Sequence, residues 1–394
     1  MKHYIEEASA RVKVDEGIQV IEKLLLVCYF HPGISTKELA RRTFLPIPVA
    51  AAIKKELMRE GALEQKNGVH CTKEANRWIE EKCGYRGIDK TLYLKLMEAD
   101  MNEAMCLPEM MLVLEGLEKE FAFRPQVNVQ LDQSKCTPET SLRRAILCLK
   151  HHSLIGKRIL CVGDDDLVSV SIGLLLQQLF PGMSSSPAQI DVVELDERFI
   201  CHIREIVDRA KLPIRCLPWD LRNPFPAEWL ARYDCFFTDP PYTLQGMSLF
   251  VSRGITALKQ KKGLPVFLSF AHKSPDFMLA MNREFVRMGL TVHAAHQHFN
   301  QYEGAEMIAN RSQMIVLETT AVTDAEIKDS FHDALYTGEV KRTLRTYRCK
   351  QCSQEVFVGL QGEVATIEDL KNQGCPGCKN DTFLMVEKRH LSPK

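Results

Sequence analysis

Two sets of residues in this 394-residue chain have the types and spacing to do chemistry. The first is Cys349-x-x-Cys352 with Cys375-x-x-Cys378, each pair in a tight turn (CKQC, CPGC). Four thiolates at this spacing suit a closed, tetrahedral structural Zn²⁺ site that leaves no open position for catalysis. The second set is acidic: Gly163-Asp164-Asp165-Asp166, then Glu194-Leu195-Asp196, then Thr238-Asp239-Pro240-Pro241-Tyr242. Three consecutive carboxylates exceed what a helix cap needs; they repel an anion and attract a cation. The two prolines fix a rigid turn that presents Asp239 and Tyr242.

The elements that must position the acidic set begin at Lys157, where short, nearly all-apolar strands alternate with helical stretches. Strands are expected at residues 157–163, 190–195, 213–217, 233–238, 265–270, 290–296 and 312–319, the last two as a hairpin. Strands of this kind, joined by crossovers, indicate a parallel sheet covered on both faces. Ligands bind such a sheet at the carboxyl ends of its strands, and each acidic motif falls at one of those ends. Glu194 is placed to accept hydrogen bonds from both hydroxyls of a ribose; Asp196 could join it or cap the following helix. Asp220, after the third strand, could read an adenine amino group. Phe299-Asn300-Gln301-Tyr302 follows a strand at the same edge and is expected to line the pocket. His293, His296 and His298 read as surface or core histidines rather than metal ligands.

The first 85 residues read as helix, helix, helix, hairpin. An apolar helical face spans 16–30, Ser35 or Thr36 caps a second helix, a third ends at Gly61, and Asn67-Gly68 signals a tight hairpin turn. This order resembles a winged helix. The module holds 14 Lys/Arg against 12 Asp/Glu, too small an excess for a phosphate-reading surface, so it is expected to pack or dimerise. Residues 88–123 are a Met/Leu-rich helical connector, and Thr137-Pro138 opens the next helix. The expected division is 1–87 winged-helix-like, 88–136 connector, 137–335 catalytic and 340–394 zinc-ribbon-like.

The seven strands in this order resemble the class I methyltransferase fold, a Rossmann-related α/β architecture. Enzymes of that fold carry a glycine-rich anion cradle where this chain has GDDD, and the (D/N)PP(Y/F) tetrapeptide resembles a motif of amine-alkylating enzymes. Together GDDDL, VVELDERF, DLRNPFP, TDPPYTLQGMSLFVSRGI and FNQY resemble the branched-chain polyamine synthase family, over roughly residues 124–320. The four-cysteine module departs from the simplest family pattern. The resemblance implies transfer of an aminopropyl group from decarboxylated S-adenosylmethionine to the N4 amine of spermidine, with release of 5′-methylthioadenosine. The family's active-site motifs carry over to Asp164, Asp165 and Asp166 and to Asp239, Pro240, Pro241 and Tyr242. Asp165 or Asp166 with Asp239 would accept the proton and aim the amine, and Tyr242 would orient it. Gly163, Asp164, Glu194, Asp196, Asp220, Pro240 and Pro241 would bind the donor.

Composition narrows the alternatives. Lys+Arg and Asp+Glu are 51 each, which excludes a polybasic nucleic-acid coat. An N-methyltransferase acting on nucleic acid or protein fits DPPY but not the neutral charge or GDDD. A winged-helix/zinc-ribbon transcription regulator leaves the acidic sheet edge unexplained. No apolar stretch approaches the ~20 residues that span a bilayer, and the N-terminus is charged where a secretion signal would be apolar. A cytoplasmic enzyme is expected, with a polyamine as partner, no membrane and no nucleic acid; a winged helix often supplies a dimer interface, so a homodimer is open. The ten scattered cysteines read as small buried hydrophobes.

Overall fold

Helices dominate the first third because each stretch carries an apolar stripe and a start signal. In the computed structural model, which describes residues 4–12, 17–128, 131–182, 188–304, 309–336, 343–359, 362–364 and 366–390, α1 (Tyr4–Val12) and α2 (Gln19–Phe30) are followed by α3 (Thr36–Thr43). Ser35 caps α3 by accepting the Glu38 N–H, and α4 (Ile47–Arg59) follows. A ribbon, β1 (Leu63–Gln65) and β2 (Val69–Cys71), then closes on itself antiparallel. Gly68 is required in its turn: φ is +120°, and a Cβ there would lie 2.1 Å from the Gly33 carbonyl oxygen. α5 (Lys73–Lys82), α6 (Lys90–Glu98), α7 (Met101–Met105) and α8 (Pro108–Ala122) complete the helical region. The connector is thus three helices, because Asp89 and Asp100 each cap a new start and Pro108 opens a third.

The central sheet has the order β3-β9-β10-β8-β7-β4-β5-β6. β4 (Arg158–Val162), β5 (Gln189–Glu194), β6 (Ile214–Pro218), β7 (Cys235–Thr238) and β8 (Pro265–Ala271) are parallel. β9 (Leu290–Glu303) and β10 (Arg311–Thr319) form the expected hairpin, with β10 antiparallel to β8. This is a methyltransferase-like Rossmann sheet. It has eight strands where seven were expected. The extra one, β3 (Lys135–Cys136), pairs with Tyr302 and Glu303 at the end of β9; two residues are too few to leave a periodic signal. α9 (Pro138–Lys150), α10 (Val168–Leu179), α11 (Glu197–Ala210), α12 (Leu244–Ala257) and α13 (Pro275–Arg287) surround it. One continuous apolar core runs from α1 and α2 through α9 to the strands.

Contacts divide the chain into two units. The first is Met1–Val127, Ser134–Pro240 and Ser248–Phe331; the second is Asn128–Gln133, Pro241–Met247 and His332–Lys394. In the second, β11 (Thr343–Cys349) lies between β12 (Glu355–Val358) and β13 (Phe383–His390), with α14 (Ile367–Gln373) beside them. Among the described residues no helix is long and apolar enough to cross a membrane.

Candidate active site

The parallel strands deliver the acidic motifs to one edge. Gly163 leaves β4 with φ +76°, a conformation that favours glycine, and its N–H donates to the Val193 carbonyl (2.8 Å). The chain then turns so that Asp164 faces the start of α10. Asp164 Oδ1 accepts the Val168 N–H at 2.8 Å, and Oδ2 accepts the Ser169 N–H at 3.2 Å. The helix N-terminus, where a free anion would bind, is therefore occupied by a carboxyl of the chain itself. Burial pushes Asp164 up to about 7, against the pull of its hydrogen bonds from Ser169 and Val168.

Glu194, at the tip of β5, is tied to the same loop. Its Oε2 accepts the Asp164 N–H (3.0 Å), and its Oε1 accepts those of Leu195 (2.8 Å) and Asp196 (2.9 Å). Burial still raises its pKa. Asp196 caps α11 through the Arg198 N–H (3.0 Å) and holds the Arg198 guanidinium with both oxygens. Asp220 lies in the turn after β6, accepting the Arg222 N–H (2.9 Å). The strands thus place Gly163 to Asp166, Glu194, Asp196, Asp220 and Asp239 at the carboxyl edge. Pro240 ends the first unit's segment; Pro241 and Tyr242 belong to the second unit.

The centre of the cluster is a residue the motifs did not reveal. Arg144, on α9, is 3% exposed. Its Nη1 donates to Asp166 Oδ2 (2.6 Å), its Nη2 to Asp239 Oδ2 (2.9 Å) and to the Tyr302 hydroxyl (3.2 Å), and its Nε to Asn300 Oδ1 (2.9 Å). Tyr302 donates in turn to Asp239 Oδ2 (2.7 Å), and Asn300 Nδ2 donates to Ser312 Oγ (2.9 Å). A guanidinium has the planar fork to serve several acceptors at once. Asn300 and Tyr302 come from the FNQY stretch expected to line the pocket. Arg144, Gly163, the three aspartates of GDDD, Asp239, Phe237 and Phe267 line one narrow cavity.

The carboxyls differ in ionisation because their surroundings differ. Burial would raise Asp166, but Arg144 and then Arg124 hold it below the ordinary range. Burial pushes Asp239 up to about 6, opposed by Arg144 and reinforced by the charge on Asp166. Asp165 is driven well above its usual value by burial and by the charges of Asp166, Glu194 and Asp239. Its Oδ2 accepts the Ser134 N–H (3.2 Å), and its carbonyl accepts Arg124 Nη1 (3.3 Å). The arrangement can hold a cation and receive a proton near neutral pH.

A stability consequence follows. In the unfolded chain these aspartates ionise near ~4. Native Asp239 and Asp164 keep their protons to about 6 and about 7, so between those limits the native state binds more protons. Their contribution to stability therefore falls as pH rises from about 4 to about 7, then levels. Urea midpoints of the first unit's transition, measured across pH, check this, and Asp164→Asn should flatten the slope.

In the second unit the four cysteine sulfurs lie within 4.8 Å of one another. Cys349 and Cys378 are 3.5 Å apart, as are Cys352 and Cys375. Asn380 Nδ2 donates to the Cys349 sulfur (3.4 Å). Of the histidines on β9, His293 pairs with Glu318 (3.1 Å), and His298 packs against His272 with ring centroids 4.7 Å apart.

The profile of the branched-chain polyamine synthase A C-terminal domain matches residues 114–372. An uncharacterised protein of Methanocaldococcus jannaschii is 34% identical over 391 residues, covering 98% of this chain and 93% of that one. The N(4)-bis(aminopropyl)spermidine synthase of the same organism is 31% identical over 218 residues, 55% of this chain and 58% of the synthase. The alignment thus spans little more than half of that synthase's length. The crystal structure of the branched-chain polyamine synthase from Thermus thermophilus, in complex with N4-aminopropylspermidine and 5′-methylthioadenosine, has a TM-score of 0.51. At 22% identity, covering 84% of this chain and 96% of that one, it supports the fold. With the profile matched over more than half its length and a relative aligned almost end to end, this chain belongs to the branched-chain polyamine synthase family.

Proposed function

We propose that the chain is an aminopropyltransferase that moves the aminopropyl group of decarboxylated S-adenosylmethionine to the N4 amine of spermidine, yielding a branched polyamine and 5′-methylthioadenosine. The observation that carries this reading is the carboxylate edge, with Asp164 seated on the N-terminus of α10. A donor that keeps its carboxylate meets a filled anion site and an acidic wall. A donor that has lost it presents an ammonium, and the polyamine is a polycation; both suit that wall. The named relatives add the same chemistry: one is a synthase of this kind, and another holds an aminopropylated spermidine and the thioether product.

In this mechanism Glu194 receives the ribose hydroxyls with Asp196 beside it, and Asp220 reads the adenine. Gly163 and the Pro240-Pro241 turn shape the donor pocket. The acceptor nitrogen arrives as an ammonium of pKa near ~10 and must lose its proton before it can attack. Asp239 accepts that proton, with Asp166 held anionic by Arg144 to stabilise the cationic amine and Asp165 beside them. Tyr242 orients the nitrogen. The lone pair then attacks the propyl carbon beside sulfur. The carbon–sulfur bond breaks, its electrons pass to sulfur, and the positive charge moves from sulfonium to the alkylated nitrogen. The fourfold division at residues 87, 136 and about 335–340 is part of the same proposal, with the first module as a winged helix and a homodimer open.

The cysteines fit a structural Zn²⁺. Tetrahedral Zn–S bonds of ~2.3 Å put sulfurs about 3.8 Å apart, close to the observed packing. The three-stranded sheet of the second unit also needs such a centre: the apolar cluster beside it is Val356, Val358 and Leu370 with Tyr347, Val364, Ile367 and Phe383 packed against them, little to stabilise a fold alone. One zinc per chain is expected by elemental analysis, and Cys375→Ser should release it and lose the dichroism of that unit. Retention of a folded, metal-free unit would refute the assignment.

Supplying purified protein with spermidine and either the decarboxylated or the intact donor tests the function by mass spectrometry. An added aminopropyl group with the decarboxylated donor alone is expected. Methyl transfer from the intact donor, or no transfer, would overturn it. The M. jannaschii relative covering 98% of this chain is a separate protein from that organism's named synthase. The assay therefore includes longer polyamines as acceptors.

A further inference from the structure

A second cavity, of about 630 Å³, opens in the first unit at the other end of the strands. Its walls come from α2, the residue ending α3, the end of α9 and the segments that enter β4, β7 and β8. A neighbouring hollow of about 600 Å³ shares Lys23, Phe44, Lys150 and His152 with it. Both volumes are within the range of small-molecule sites. β4 is five residues long, so this cavity and the carboxylates are separated by about 16 Å at ~3.3 Å per residue.

Three groups in its lining lack what their chemistry calls for. Lys23 has neither a hydrogen bond nor an ion pair among the described residues; its Nζ lies 5.0 Å from the centroid of the Phe44 ring. Desolvation lowers its pKa, the mark of an ammonium withdrawn from water without a sufficient counter-charge. Gln19 Oε1 is shielded from solvent and has no partner. Phe44 is 88% exposed at the mouth, held at φ +58°, where a bulky residue is uncommon.

Among the described residues no acid around the cavity forms an ion pair with Lys23; the charge of Glu318 acts on it from a distance and only partly offsets its desolvation. Glu22 pairs with Lys157 (2.6 Å) and Asp234 with Lys259 (2.6 Å), and Glu318 lies 3.1 Å from the His293 ring. Lys261, also in the lining, has no carboxylate partner among the described residues. Two ammoniums without an ion pair and one exposed ring beside the first of them therefore line the same space. That combination asks for an anion attached to a flat ring.

We propose that this cleft is a binding site for a nucleoside monophosphate. The phosphate lies on Lys23 and Lys261, and the base stacks on Phe44. The site is separate from the donor pocket and does not depend on the transfer chemistry.

The test is calorimetric titration of the full chain with AMP, adenosine and inorganic phosphate. AMP is expected to bind saturably and more tightly than either fragment. Phe44→Gly keeps the backbone conformation, since glycine adopts positive φ freely, and should weaken AMP roughly tenfold or more, the worth of one base–aromatic stack. Lys23→Gln should weaken AMP but not adenosine. No saturable heat from AMP, equal affinity for phosphate alone, or unchanged affinity in both variants would overturn the proposal. So would loss of AMP binding in Glu194→Ala with Phe44→Gly unaffected, which would put AMP at the carboxyl edge.

Discussion

Arg144→Met is expected to lower kcat/KM for aminopropyl transfer by roughly 10³-fold and to cost about 3–5 kcal/mol of stability. Arg144 is a positioning residue: its partners are Asp166, Asp239, Tyr302 and Asn300. Removing it leaves two buried carboxyls without their shared counter-charge. Both must then move up in pKa, because the cation that favoured their ionised forms is gone. Asp166 takes up a proton and no longer stabilises an ammonium, and Asp239 keeps its proton at neutral pH. The rising limb of the pH–rate profile should therefore shift to higher pH, which a merely structural lesion would not produce. Arg144→Lys restores the charge but not the fork that reaches four partners, so about a tenfold deficit at least should remain. Stopped assays across pH, with urea titrations on the same samples, measure both effects. An unshifted limb would refute the positioning role.

Asp239→Asn is the second large effect, expected at about 10²–10⁴-fold in kcat, the usual worth of a general base. The amide keeps the shape and can still accept from Tyr302, so folding should survive. In the wild type, activity should rise with pH through about 6 as Asp239 ionises. In the variant that limb should vanish. A variant that keeps both the rate and the limb would move the proton acceptor to another group. Stability should change in the opposite direction: a carboxyl raised above its unfolded value costs stability that builds from about pH 4 and is complete above about 6, and the amide removes that cost.

The sheet was legible because each strand is a short apolar run with a functional tip, and such runs survive inspection without an alignment. The cysteine cluster was legible because two CxxC pairs are a spacing that stands out in sequence, and the four sulfurs do lie within 4.8 Å of one another. Arg144 was not, because an arginine inside a helix reads as a solvated charge. Its signal was positional. On α9 it shares a face with Ser141, Ala145 and Cys148, all buried, so helical periodicity placed a cation where only a carboxylate could make it tolerable. β3 was missed because two residues carry no period. The cleft at the amino ends was invisible in sequence, since its lining comes from segments up to about 300 residues apart and carries no common motif. Asp196 shows why a carboxylate at a strand tip stays ambiguous: capping and ribose binding call for the same residue type at the same place.

The carboxyl of Asp164 has a bearing on selectivity inside a cell. It is covalently tethered a few bonds from the helix end it occupies, so it competes there at an effective concentration of order millimolar or above. A free metabolite bearing the same group must displace it at whatever concentration surrounds the protein. Selection between two sulfonium donors that differ by one carboxylate would then be set by the chain itself. It would change little when the abundant donor rises or falls, and a single substitution at Asp164 would expose the enzyme to those fluctuations.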